Sequence, residues 1–127
     1  MRREWRLRSG RDYQRVRSTG RRRANALFVM LAAPHPQGPT GTTRLGIVTG
    51  RRIGNAVVRN RVKRRLREIG RQLHPRIAPG WDLVVIVRPA IAAEPFAAID
   101  RAMRAALTDL RLLEKPETPS CAPSSSV

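Results

Sequence analysis

The chain is 127 residues long, with 26 Lys/Arg against nine Asp/Glu and a formal net charge of +17, a size that bounds one small domain with a modest core. It holds no apolar run long enough to cross a membrane, and the basic N-terminus MRREWRLRSGRDY has no apolar segment behind it to make a secretory signal, so a cytoplasmic location is expected. The single cysteine, Cys121, excludes an intramolecular disulfide and argues against a cysteine-held zinc, while His35 and His74 stand too far apart to suggest a metal pair.

In chain order, GRDYQRVRST at residues 10–19 sets Tyr13 and Val16 at helical spacing and ends at Gly20. A short amphipathic helix is predicted there, with Arg11, Arg15 and Arg17 on its other faces. The apolar stretch from Leu27 to Ala33 suits a largely buried strand, and the Pro/Gly/Thr-rich residues 34–43 form a loop expected to be mobile and dispensable to the fold. RLGIVTG, Arg44 to Gly50, is a further strand. Gly50 and Gly54 bracket a turn carrying Arg51 and Arg52, and Asn55 is placed to cap the helix that follows. That helix is interrupted by Pro75, Pro79 and Gly80. WDLVVIV, Trp81 to Val87, is the clearest strand, because its unbroken Val/Ile run implies burial on both faces. Pro95 then opens a last helix in which Phe96, Ile99, Met103, Ala106, Leu107 and Leu110 recur at helical spacing. Residues 1–115 therefore read as one domain, and residues 116–127, PETPSCAPSSSV, as a disordered tail.

The positive charge is not spread evenly. Residues 1–76 hold 21 Lys/Arg and three acids, a net of +18, whereas residues 77–127 net −1. So concentrated an excess repels itself unless a polyanion meets it, and nucleic acid is the commonest such partner. Its focus is GNAVVRNRVKRRLRE, Gly54 to Glu68. On a helical wheel, Val58, Val62, Leu66, Ile69 and Leu73 fall within roughly an 80° arc. Asn60, Lys63, Arg64, Arg67 and Arg71 lie opposite, and Arg59, Arg61 and Arg65 flank the stripe. The helix is thus expected to dock by one edge and to present cations over the rest, with Glu68 positioned to pair with Arg64. The glycine-flanked turn and the positive end of the helix dipole make its start a phosphate site. Asn60 can address a base edge or a ribose hydroxyl. Spacing alone does not choose between DNA and RNA.

The string RLGIVTGRRIGNAVVRNRVKRRLRE closely resembles the signature of the bacterial ribonuclease P protein component, with Arg59, Asn60, Arg61, Val62, Lys63, Arg64, Arg67 and Glu68 at the signature positions. Weaker resemblance in RDYQRV and DLVVIVRP extends the similarity over about residues 7–112. The resemblance implies an α/β (α+β) two-layer sandwich of order α-β-β-β-α-β-α, with a four-stranded sheet and a left-handed β-α-β crossover; the fourth strand would be a short one at Arg21 to Ala24. It also implies a non-catalytic protein subunit of an endoribonuclease that matures tRNA 5′ ends. Such a protein binds the catalytic RNA subunit through the Arg-Asn-Arg helix, here Arg59, Asn60, Arg61, Lys63, Arg64 and Arg67, to which the charge reading adds Arg71 on the same face and Arg51 and Arg52 in the turn before it. It holds the 5′ leader of precursor tRNA in a cleft between the first helix and the sheet. Family members line that cleft with aromatics; Tyr13 matches the first, Arg17 stands four residues on, and Leu31 occupies a position where some members have tyrosine. Phe28 reads as core. Partners on this reading are the RNA subunit and precursor tRNA, with no membrane and no obligate protein partner. The protein itself is expected to bind no cofactor, and Mg2+ is expected to serve the RNA-catalysed step.

The residues agree about catalysis. The cation-rich half has three widely spaced acids, Glu4, Asp12 and Glu68, and no carboxylate pair or His/Cys set placed to activate water. Two other readings fit the charge: a structural RNA-binding protein such as a ribosomal component, and a DNA-binding regulator using the basic helix. The latter lacks a second helix a short turn before Asn55, as a helix-turn-helix needs.

Overall fold

The structure, a computed structural model, describes residues 5–113; the residue 116–127 segment and Cys121 lie outside them. Its elements run α1 (Gly10–Thr19), β1 (Arg21–Ala24), β2 (Phe28–Pro34), β3 (Arg44–Val48), α2 (Ala56–Leu73), β4 (Trp81–Val87) and α3 (Phe96–Asp109). The order is the expected one, and the short strand at Arg21–Ala24 is present. The strands form one sheet in the order β1-β2-β4-β3. β2 pairs antiparallel with β1 and β4, while β3 lies parallel to β4, with Arg44 opposite Asp82 and Val48 opposite Ile86. A parallel pair cannot be closed by a hairpin, and α2 supplies the crossover.

Strand alternation divides the core in two. On one face Phe28, Met30, Leu45, Leu83 and Val85 meet Val62, Leu66, Ile69 and Leu73 of α2 and Ile99, Met103 and Leu107 of α3. On the other, Leu31, Ala33 and Val84 pack against Val16 of α1 and Leu7. The second layer of the sandwich is thus α2 with α3, and α1 covers part of the opposite face. Val84 and Val85, adjacent in sequence, are both fully buried on opposite faces, which is why WDLVVIV shows no polar alternation.

Gly20 ends α1, though not in the left-handed conformation common at helix ends. Its φ is −73°, and a Cβ there would sit 2.4 Å from the Val16 carbonyl oxygen, so glycine is required by close approach. α3 closes differently. Leu112 N–H donates to Leu107 O and Arg111 N–H to Thr108 O, both at 2.9 Å, with Arg111 at φ 62°. This is a Schellman closure with an arginine where glycine is usual. The loop at 34–43 is held to the strand start: His35 N–H donates to Gly80 O at 2.8 Å and Gly80 N–H to Gly41 O at 2.7 Å.

A buried charge fastens α1 to the sheet. Asp82 has no solvent exposure; its carboxylate accepts from Arg44 Nε and Nη2 at 2.8 and 2.7 Å and pairs with Arg15 of α1. Asp12 adds a second carboxylate 3.4 Å from each guanidinium. The hydrogen bond to Asp82 pushes the Arg44 pKa still higher, against the opposing effect of burial. Outside β3, Leu7 N–H donates to Leu45 O at 3.0 Å and Trp5 stacks on His74 with ring centroids 3.7 Å apart. The N-terminal segment therefore covers an edge that would otherwise offer unpaired backbone groups.

Candidate nucleic-acid interface

The interface is built on α2, and its entry is made by β3. After Val48 the chain turns through a single 3-10 turn, Arg51–Ile53, whose Ile53 is buried while Arg51 and Arg52 stay exposed. Gly54 follows at φ 147°, a backbone state that disfavours any side chain, and a Cβ there would meet Val58 at 3.0 Å. Asn55 then caps the helix: its side-chain oxygen accepts from Val58 N–H at 3.0 Å. The turn thus sets two exposed arginines just before the positive end of an 18-residue helix. No helix precedes it at helix-turn-helix distance, because the preceding element is β3.

Val62, Leu66, Ile69 and Leu73 are buried and Val58 is half-buried, so the stripe docks as its spacing predicts. Val57, off the stripe, is 70% exposed. The cations do not form one surface; they divide between two flanks. On one flank Arg61, Arg64 and Arg65 border a groove shared with Phe96, the first residue of α3. Arg65 Nη1 donates to Glu94 O at 3.0 Å there, which pins α2 to the segment before α3. On the other flank, Arg67 lies close enough to Tyr13 of α1 for its charge to act on the phenol. Arg59 and Lys63 fall on that same side by helical spacing. Asn60 is exposed between the flanks.

The Glu68–Arg64 pair expected from i, i+4 spacing does not form. Glu68 instead accepts from Arg71 at 3.1 and 2.5 Å and from Gln72 at 3.0 Å. The Arg71 fork is bidentate, a geometry that Arg64 does not attain. These hydrogen bonds hold the Glu68 carboxyl below its ordinary range and raise Arg71 above its own. Among the described residues, Arg59, Arg61, Lys63, Arg64 and Arg67 enter no ion pair, nor do Arg51 and Arg52. Arg71 is the one member of the predicted set already partnered by a carboxylate.

The second predicted site lies on the α1 face. Tyr13 and Leu31 belong to one apolar cluster there. The Tyr13 hydroxyl reaches across to β3, where a Cβ on Gly46 would collide with it at 2.4 Å; glycine at 46 makes room for the ring. Burial raises the phenol pKa, and a backbone hydrogen bond at Ile47 and the Arg67 charge pull partly back. Arg17, one turn further along α1, is exposed. Leu31 is only 7% exposed, because Val16 and Leu7 cover it, and so it offers a ligand little surface. The floor beyond α1 is made instead by Val29, Val48 and Ile86, all partly buried in the same cluster. Sequence reasoning missed these three; strand alternation placed them on the face of Leu31 and Val84, but where α1 stops is a tertiary fact. Arg22 of β1 sits directly opposite Leu31 and is exposed on that face. Phe28 is fully buried on the other face, as core.

Among the described residues no three His, Cys, Asp or Glu side chains gather into a possible metal site. No helix among them is long and apolar enough to cross a membrane. The arrangement is suited to holding a polyanion.

Comparison with known proteins agrees. Residues 1–111 match the family model described as Ribonuclease P. The chain is 40% identical over 119 residues to the ribonuclease P protein component of Roseiflexus sp. strain RS-1, covering 93% of this chain and 95% of that one. It is also similar to the solved RNase P protein of Staphylococcus aureus, at a TM-score of 0.79 and 27% identity over 87% of this chain and 98% of that one. The RNase P protein of Thermotoga maritima gives a TM-score of 0.73 and 32% identity over 82% and 96% of the two chains.

Proposed function

The chain belongs to the ribonuclease P protein family, the protein subunit of an RNA-based endoribonuclease that processes tRNA, and on that premise we propose that its two basic regions divide the RNA between them. The α2 helix, with Arg59, Asn60, Arg61, Lys63, Arg64 and Arg67 and the preceding Arg51 and Arg52, takes the RNase P RNA. The α1 face takes the 5′ leader of precursor tRNA, with Tyr13, Arg17 and the Val29–Ile86 floor as contacts. The observation that carries this is the row of cations on α2 that enter no ion pair among the described residues. A helix so one-signed is stable when phosphates neutralise it. Arg71 contributes less than the others, since binding must compete with Glu68.

On the α1 face, a base would stack on the exposed part of the Tyr13 ring or on the Arg17 guanidinium, while the apolar floor would lie against ribose and base. The protein supplies positioning, not chemistry. Mg2+ would be held by the RNA. The reading places the protein in the cytoplasm with tRNA precursors, and it invokes no obligate protein partner. Family membership sets aside the ribosomal and DNA-binding readings.

The test is reconstitution. Protein alone should leave precursor tRNA intact, and added to RNase P RNA at low Mg2+ it should raise the rate of leader removal. Tyr13→Ala and Arg17→Ala should weaken binding of the precursor to the assembled enzyme without weakening binding of mature tRNA. A protein that leaves cleavage unchanged, or a Tyr13→Ala effect equal on precursor and mature tRNA, would count against the reading.

A further inference from the structure

From the groove between α2 and the start of α3 we infer a pocket for one unstacked nucleotide of the RNase P RNA, its phosphate on Arg61 and Arg64 and its base on Phe96. This rests on the reading of α2 as the face that meets that RNA. The groove has a volume of about 520 Å³, within the ~300–1,000 Å³ typical of clefts that hold a small ligand. One wall is an aromatic ring, Phe96, half-buried at the first position of α3. The facing wall is cationic. Arg61 and Arg64 are exposed, three residues apart on one side of the helix, and pair with no carboxylate among the described residues.

Two fixed contacts shape the site. Arg65 is tied to the Glu94 carbonyl at 3.0 Å, which links α2 to the segment before α3 beside the groove. Glu68 also lines the groove, but Arg71 and Gln72 occupy its oxygens, so it leaves Arg61 and Arg64 unneutralised. An acidic peptide would satisfy the guanidinium groups and leave the ring without a partner. A nucleotide satisfies both, because every base has a face to stack and every phosphate accepts a bidentate fork. The groove lies on the flank of α2 away from Arg67 and Tyr13, so its nucleotide comes from the RNA subunit and not from the precursor leader.

The full-length protein and RNase P RNA provide the test. Phe96→Leu keeps an apolar side chain against the core and removes the stacking surface; it should weaken RNA binding about five- to a hundredfold with the salt dependence unchanged. Phe96→Tyr should bind like the wild type. Arg61→Ala should weaken binding and also flatten the salt dependence by about one charge. The double variant Phe96→Leu/Arg61→Ala should lose less than the product of the single losses, because both remove the same nucleotide. Phe96→Leu/Arg67→Ala should lose the full product.

Should Phe96→Leu prove too unstable, chemical probing of the RNA decides: wild-type protein should protect one base that Arg61→Ala leaves reactive. Wild-type affinity for Phe96→Leu, fully multiplicative losses with Arg61→Ala, or no such protected base would each overturn the pocket. A Phe96→Leu loss confined to precursor binding would overturn the assignment to the RNA subunit. Failure of the wild-type protein itself to bind RNase P RNA would instead reject the underlying reading.

Discussion

Asp82 and Tyr13 show how single side chains set the α1 face. Asp82 has no exposure and is satisfied by Arg15 and Arg44, whose side chains are 29% and 22% exposed. Removing one partner of a buried pair leaves the others uncompensated, so Asp82→Asn should destabilise by about 3 kcal/mol. Urea unfolding checks this, and a loss below about 1 kcal/mol would mean that the two guanidinium groups hydrate freely. Tyr13 is the single tyrosine of the chain, so its absorbance titration is unambiguous. Its folded-state pKa is raised by burial above the ordinary value of 10.0. The stability linked to the phenol is therefore fully present below the unfolded value and is lost as pH rises through the folded one. The titration midpoint should fall when the protein is unfolded in urea; an equal midpoint in both states would show the ring to be solvated.

At the scale of the element, α2 has one edge for folding and the rest for binding. Val62 is 1% exposed and Arg64 is exposed. Val62→Asp should unfold the domain, because a lone carboxylate among Leu66, Ile69 and the sheet has no partner. Arg59→Ala or Arg64→Ala should leave the circular dichroism melt unchanged while reducing the salt slope of RNA binding by about one charge each. A melt lowered by Arg64→Ala would place that side chain in the fold and not in the interface. α3 offers an opposite case. Arg111 at φ 62° sits in a left-handed state that costs an L residue ~1–2 kcal/mol. Arg111→Gly relieves this, less the helix-end charge and the extra freedom of the unfolded chain. A net gain of about 0.5 kcal/mol, or roughly 2–4 °C in Tm, is expected from a thermal melt.

For the whole molecule the charge dominates. The chain carries a net +17, and among the described residues few of the cations are paired. Salt should therefore act in opposite directions on folding and on binding: raising it from about 20 to about 300 mM should increase the Tm of the free protein by screening repulsion, and should weaken RNA binding because counterions released into more concentrated salt gain less entropy. A Tm that falls over that range would show the pairs around Asp82 to outweigh the repulsion. The sequence by itself determined the three helices, the three longer strands, the apolar edge of α2, the Asn55 cap and the family, because each is written in spacing or order along a single segment; the short strand Arg21–Ala24 was implied only by the family resemblance. It could not determine that Glu68 would choose Arg71, that Leu31 would be covered, or that Arg61 and Arg67 would serve different flanks. Those depend on where α1 and α3 come to rest against the sheet. That is decided by contacts between residues far apart in the chain, which no local pattern records.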